Sequence, residues 1–441
     1  MEKTPPKKTS QRIVFLLVDG VSSSTFETLI DAGHLPTMAR LKKEGTYHGN
    51  VVSSFPTVSG PAHVPLLYGI SPTSIDLIGH NQFIRKTGKL ENYLLHYKQL
   101  DARLAGRKSL YSAFSNSVSV AEPARAGATA YRKNLFLLAD WAKIFGPSNN
   151  YVLHTVNREY RRGRDLIVAW LHETDGFAHR SKRKEYITKS LERLDRWLAT
   201  FLQSADQSTT VVLTSDHGMQ WTDGKPFAMR PALKDAGLKR GEYRFYLDGG
   251  AFCQLYLKRD GSFARRQAET SLDGLPEKLA RHPELDLILY RRQSAGVATG
   301  SGLTAVIQSA RGRATVTKTA REYRYTVERG QDPLGYGQTF TTGLSARECV
   351  SATASSRYPD GHFQIYELLA APSSGDVIIT AADGKSLNTL TKYGVHGGLQ
   401  RSQSVTFILS NAKLAATQPC LRTSDLPRLL GVLDSSDYVT R

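Results

Sequence analysis

The stretch LIVAWLHETDGFAHRSKRKEYITKSLERLDRWLATFLQSADQSTTVVLTSDHG, residues 166–218, reads as strand, helix, strand. Its two ends, LIVAWL and TVVLT, are nearly unbroken apolar runs, the pattern of strands buried on both faces rather than one. Between them Ile187, Leu191, Leu194 and Leu198 recur at helical spacing and mark a single apolar face. A second strand that runs parallel to the first needs a crossover helix lying on the sheet. The segment therefore predicts a parallel sheet covered by helices.

The same reading extends outward. RIVFLLVDG at 12–20 is another buried strand, and Thr25 to Glu44 has helical periodicity interrupted at Gly33 and Pro36. The character changes near 242. There YRFYLDGGAFCQLYLKRDG and ATVTKTAREYRYTVERG read as strands joined by Gly-containing turns, the latter as a hairpin of alternating polarity. Helical signals return at 344–356 and 359–370, followed by strands at GDVIITAADG (375–384) and VTFILS (405–410). The expected fold is α/β: a three-layer α/β/α sandwich with a mostly parallel central sheet, plus a smaller, mainly β insertion or subdomain. The expected boundaries are a disordered leader at 1–11, a catalytic core at 12–240 and 345–441, and the β insertion at 241–344.

Composition narrows the class of protein. A chain of 441 residues is long enough for one large domain with a substantial insertion. No apolar run approaches the ~20 residues of a transmembrane helix, and the polar, basic start MEKTPPKKTSQR lacks the features of a secretory signal. The expected address is cytoplasmic, or periplasmic if a signal has been removed. Cys253, Cys349 and Cys420 are scattered and odd in number, so free buried thiols are expected. The net charge of +18 favours anionic partners without choosing among a phosphorylated small molecule, a lipid headgroup and nucleic acid. The basic residues are dispersed, with local density at 158–164, 180–184 and 311–329, and read equally well as solvated faces.

The residues that carry chemistry stand at the ends of the predicted strands. Asp19, Asp175, Asp216 and His217 follow buried runs, and His396 lies in the Gly-rich stretch GVHGG. In open α/β sheets, ligands gather outside the carboxyl ends of the strands, so these side chains are expected on one rim. One strand-end Asp is commonly a helix cap; several in equivalent positions, with His179 close to Asp175, form a donor set for metal ions. Carboxylate oxygens and imidazole nitrogens with no thiolate suit Zn²⁺, with Mn²⁺ a second choice. Two such ions would serve an in-line displacement at phosphorus. FPTVSGPAH (55–63) supplies a hydroxyl at the start of a predicted helix, where backbone amides favour anions. Ser59 is the expected nucleophile and metal-bound hydroxyl, with Thr57 as its competitor.

The ordered set VDG, FPTVSGPAH, YGISP, DGFAH, SDHG and GVHGG resembles the alkaline phosphatase superfamily, and within it the nucleotide pyrophosphatase/phosphodiesterase branch. The resemblance spans most of the chain and implies a doubly wound α/β core with two zinc ions. It implies that Asp19, Asp216 and His217 hold the metal that activates the nucleophile, and that Asp175, His179 and His396 hold the other. The family writes its nucleophile segment P-T-x-T-x-P-N-H; this chain has Ser59 at the attacking position and Ala62 in place of Asn. His63 matches a family position outside the metal set, and a structural role near the helix start is expected for it.

The branch also places an Asn after the G-x-x-P turn to donate to a phosphate oxygen. Strict spacing in YGISPTSIDLIGHN puts His80 there, whereas the chemistry of an amide donor favours Asn81. Arg125 is a further potential phosphate clamp, weighed against a surface ion pair. The expected function is a two-metal phosphohydrolase with a serine nucleophile and a phosphoserine intermediate, cleaving nucleotide or lipid/alcohol phosphodiesters. A phosphomonoesterase of the same superfamily and a non-catalytic nucleic-acid-binding protein on this fold are the alternatives. Sulfatase chemistry is disfavoured because the nucleophile segment has no C/S-x-P-x-R context.

Overall fold

The computed structural model describes residues 12–93, 96–133, 136–258, 261–263, 272, 274–293, 302–337 and 342–433. The leader expected at 1–11 lies outside the described residues.

The strand Ile13–Val18 forms the middle of the main sheet, between Leu166–Leu171 and Thr210–Thr214, parallel to both. Its residues are buried on both sides: Val14, Leu16 and Val18 face one apolar core, and Ile13, Phe15 and Leu17 face the other. Outward on one side lie Ser117–Val120 and Ala130–Arg132, also parallel. On the other side Val405–Ser410 pairs antiparallel with both Thr210–Thr214 and Thr46–Val52, and Leu421–Arg422 closes the edge. Among the described residues, eight strands thus form a mostly parallel sheet with helices on both faces.

The crossover predicted from 166–218 is present. Glu185–Ser204 is one long helix, and Ile187, Leu191, Leu194 and Leu198 are buried against the sheet. The predicted interruption between 25 and 44 yields two helices, Ser23–Asp31 and Pro36–Glu44. Ser22 caps the first by accepting from the Thr25 amide, and Pro36 opens the second, where its missing N–H costs nothing.

A second sheet has eight strands among the described residues, every pairing antiparallel, running from Tyr243–Asp248 to Leu344–Ser345 in its spatial order. The helix Gly361–Ala370 covers one face, burying Ile365, Leu368 and Leu369; Met229–Asp235 and Leu275–Leu279 cover the other. Val377–Ala381 inserts between Phe252–Leu257 and Leu285–Gln293. The β sheet therefore draws one strand from the 345–441 stretch.

Candidate active site

Parallel strands bring their carboxyl ends to one rim, and the polar residues that follow them meet there. Asp19 follows Ile13–Val18 directly, and Asp216 and His217 lie just beyond Thr210–Thr214. Asp175 and His179 lie one turn apart on the helix Glu173–Arg180, so both side chains point the same way. His396 follows the short strand Gly394–Val395, which pairs with Gln220–Trp221. Ser59 is the first residue of the helix Ser59–Tyr68. At Gly20 the backbone has a φ of +74°, and a Cβ would stand 3.2 Å from that of Asp175. Only glycine lets the two strand-end segments approach so closely.

The hydroxyl and the acids converge. Ser59 Oγ lies 3.3 Å from Nε2 of His217 and 3.4 and 3.5 Å from the two carboxylate oxygens of Asp19. His217 Nε2 is 3.3 Å from Asp19 Oδ1 and 3.3 Å from Asp216 Oδ2. Asp175 Oδ1 stands 3.3 Å from His179 Nε2 and 3.4 Å from His396 Nε2, and no hydrogen bond satisfies it. Ser59 and Asp19, with Asp175, His179, His396 and Lys392, line a cleft of about 350 Å³.

The histidines are oriented alike. Nδ1 of His179, His217 and His396 faces the carbonyl oxygens of Gly394, Gly218 and Thr57 at 2.7, 2.9 and 2.8 Å. A carbonyl only accepts, so each Nδ1 carries a proton, and the neutral rings of His179 and His396 present bare Nε2 lone pairs. Burial holds His179 and His396 well below the ordinary histidine range, which keeps them neutral. Their two Nε2 atoms are 3.1 Å apart. Two acceptors so close, beside an unsatisfied carboxylate oxygen, are a donor set for a cation. Burial, with Asp216 and Asp175 nearby, raises Asp19 well above its usual range, and burial lifts Asp175 to about 6. Such crowding of carboxylates is relieved by positive charge.

Two residues brace this set. His63 spends both nitrogens on buried carboxylates, Nδ1 on Glu122 at 2.9 Å and Nε2 on Asp216 at 3.2 Å. Burial works against its charge, but Glu122 and Asp216 outweigh it and hold His63 up to about 10. Although His63 stands near enough to Asp19 and Asp216 to form a third ligand cluster, it has no lone pair left to give. Burial opposes ionisation of Asp216 as well, yet His217 and His63 hold it below the usual range. Trp170 Nε1 donates to Asp19 Oδ2 at 2.8 Å. Neither Trp170 nor Glu122 is marked in the sequence, since Trp170 sits within an apolar strand and reads as core.

The remaining expected site residues separate. Thr57 is enclosed, its hydroxyl donating to Gly398 O at 2.8 Å and accepting from Gly397 N at 2.9 Å. It braces the His396 loop, and Ser59 faces the cleft. Asn81 turns away: its amide donates to Asp248 Oδ1 at 2.6 Å, while His80 lines the cleft and its Nε2 accepts from Gly60 N at 2.9 Å. Burial pushes His80 down to about 3, so the ring is neutral. Arg125 does not line the cleft; its guanidinium pairs with Asp101 at 3.1 Å and lies over the rings of Tyr97 and Tyr131.

A buried ring of carboxylates and bare imidazole nitrogens, set at the carboxyl rim of this sandwich around a hydroxyl, defines a metal-dependent hydrolase of phosphoric esters in the alkaline phosphatase superfamily. The chain belongs to the type I phosphodiesterase/nucleotide pyrophosphatase family, whose model matches residues 13–303. Among solved structures it is similar to phosphonoacetate hydrolase from Sinorhizobium meliloti, at 16% identity and a TM-score of 0.61 over 96% of this chain and 95% of that one. It is also similar to murine ectonucleotide pyrophosphatase/phosphodiesterase 5, at 14% identity and a TM-score of 0.57 over 96% of this chain and 94% of that one. At these identities the likeness is one of fold. None of the curated proteins compared matches the chain. Among the described residues no helix is long and apolar enough to cross a membrane.

Proposed function

We propose that this cleft hydrolyses phosphodiesters by covalent catalysis at Ser59. The observation that carries the reading is the pair of bare Nε2 atoms of His179 and His396, 3.1 Å apart beside Asp175, on the rim that also holds Ser59 against Asp19 and His217. The donor set fits two divalent cations, zinc by its chemistry. Asp19, Asp216 and His217 would hold one with Ser59, and Asp175, His179 and His396 the other. When bound, such ions lower the pKa of a coordinated hydroxyl and neutralise charge on a departing oxygen.

The chain's own groups supply the rest. Ser59 Oγ attacks phosphorus from the helix start, forming an O–P bond as the bond to the leaving oxygen breaks. Water then cleaves the phosphorylated serine and restores the hydroxyl. Trp170 holds the Asp19 carboxylate in place, and His63 does the same for Asp216. His80, rather than Asn81, is positioned to orient a nonbridging oxygen, since it lines the cleft beside Gly60.

The family supports the diester as the class of substrate, and the known neighbours act on phosphonate or nucleotide substrates by their names. The test is Ser59→Ala assayed on bis-p-nitrophenyl phosphate. Turnover is expected to fall by about three orders of magnitude or more, with zinc content and melting temperature retained. Near-normal rates would reject Ser59 as the nucleophile.

A further inference from the structure

The loops that carry His217 and His396 meet at one fully buried residue outside the cleft lining, Gln403. Its main-chain carbonyl accepts from the Gly218 amide at 2.7 Å, one residue past His217. Its side-chain oxygen accepts from the Gly398 amide at 2.7 Å, two residues past His396. The two histidine rings themselves stack, with centroids 3.9 Å apart. Gln403 thus holds the loop of one ligand set through its backbone and the loop of the other through its side chain.

The Gln403 amide has one orientation open to it. A backbone N–H only donates, so the atom facing Gly398 is the oxygen. Nε2 then donates both of its hydrogens, one to Gln220 Oε1 and one to Gln400 Oε1 at 2.9 Å. Each partner is fixed in turn. Gln220 donates to Asp383 Oδ1 at 3.0 Å, and its backbone pairs with Val395, the residue before His396. Gln400 donates to Asp286 Oδ2 at 2.9 Å and to the Ala381 carbonyl at 2.8 Å, both in the second sheet. The strand Val405–Ser410 of the main sheet starts two residues after Gln403. The approach to the His217 loop is close: a Cβ on Gly218 would stand 2.1 Å from the Ser402 carbonyl oxygen.

A buried polar network with its groups satisfied holds one geometry, and the partner behind a metal ligand sets how well that ligand is aimed. We propose that Gln403 is a positioning residue for the metal centre. Its side chain aims His396 at the site of Asp175 and His179, and its main chain ties that site to the loop of His217. This rests on the metal-centre reading above. Gln403 does not reach the cleft, so it acts on turnover only through His396.

The test is zinc affinity of the full-length protein, measured by competition with a chelator, with the melting temperature recorded beside it. Gln403→Met keeps the length of the side chain and removes the acceptor for Gly398. One of the two zinc-binding steps is expected to weaken by about tenfold to a hundredfold, and the other by less than about threefold. Gln403→Glu keeps that acceptor and should bind zinc within about threefold of wild type at both steps, whatever its melting temperature. In a His396→Ala background the ligand that Gln403 aims is gone, and adding Gln403→Met should leave the remaining zinc step unchanged. If Gln403→Met lacks a cooperative melt, Gln403→Asn takes its place with the same expectation, since its shorter amide stays polar and withdraws its oxygen from Gly398.

Equal weakening of both steps, an equal loss in Gln403→Glu, or a further loss in the His396→Ala background would make Gln403 a residue of the fold at large and overturn the proposal. If wild type binds no zinc, the metal-centre reading fails and this proposal with it. If wild type binds two equivalents and Gln403→Met holds them as tightly, only the role of Gln403 fails.

Discussion

Nε2 of His179 lies 3.1 Å from Nε2 of His396, and each ring gives its other nitrogen's proton to a backbone carbonyl, Gly394 and Thr57. Neither nitrogen can donate to the other while both rings are neutral, and burial keeps them neutral. The contact is therefore repulsive between lone pairs unless a cation lies between them. From this relationship, and from Asp175 beside it, follows the reading of the cleft as a metal centre.

Trp170 tests how tightly the ligands must be held. Its indole N–H donates to Asp19 Oδ2 at 2.8 Å, inside a fully buried strand. Trp170→Phe removes the donor and keeps most of the ring volume. Zinc affinity is expected to fall by about tenfold to a hundredfold, the usual effect of losing a partner behind a metal ligand. Titration against a zinc chelator measures it; unchanged affinity would make Trp170 a packing residue only.

His80 and Asn81 should separate activity from stability. His80→Ala is expected to lower kcat/KM on bis-p-nitrophenyl phosphate by about tenfold to a hundredfold with little change in melting temperature. Asn81→Ala should do the reverse. It strips a 2.6 Å hydrogen bond from Asp248, a carboxyl that burial already pushes up to about 6, and should cost about 1–3 kcal/mol of stability. Paired kinetics and thermal melts decide the matter, and the opposite pattern would return the phosphate-orienting role to Asn81.

Glu159 should set part of the acid limit of the fold. Its buried carboxylate meets Arg132, Arg162 and Arg164 at 2.8, 2.8 and 3.1 Å. Burial opposes the charge, but the three guanidinium groups outweigh it and hold the carboxyl down to about 2. A folded-state pKa below the unfolded one gives stability that is present above the unfolded value of about 4.3 and lost as pH falls toward the folded value. Glu159→Gln should cost about 2–3 kcal/mol at pH 7, and the gap from wild type should close as pH falls from about 4.5 to about 2. Urea melts across that window check it; a gap independent of pH would mean the carboxylate charge contributes nothing.

Much of this was legible because burial and chemistry are written in different residues of the same segments. Continuous apolar runs such as IVFLLV and TVVLT mark strands covered on both faces, and the first acidic residues after them, Asp19 and Asp216, could only lie at the rim. Pairing partners are another matter. VIITA at 377–381 has the same apolar character as the core strands, and nothing in it states that it joins the second sheet rather than the first. Adjacent residues on an extended segment point to opposite sides, so deciding between His80 and Asn81 requires the orientation of the loop. Arg125 is an arginine near a strand end like many others, until Asp101 and two tyrosine rings claim it. Lys392 carried no signal at all: hydrogen bonds from its loop to Thr222 and His179 hold it at the cleft.

The metal centre itself is open to one direct measurement. Elemental analysis of the purified protein, loaded with zinc and dialysed, is predicted to find about two equivalents per chain in wild type. In a His179→Ala, His396→Ala double variant that keeps its melting transition, about one should remain. Absence of bound metal from the wild-type protein, or the same content in the double variant, would contradict the account.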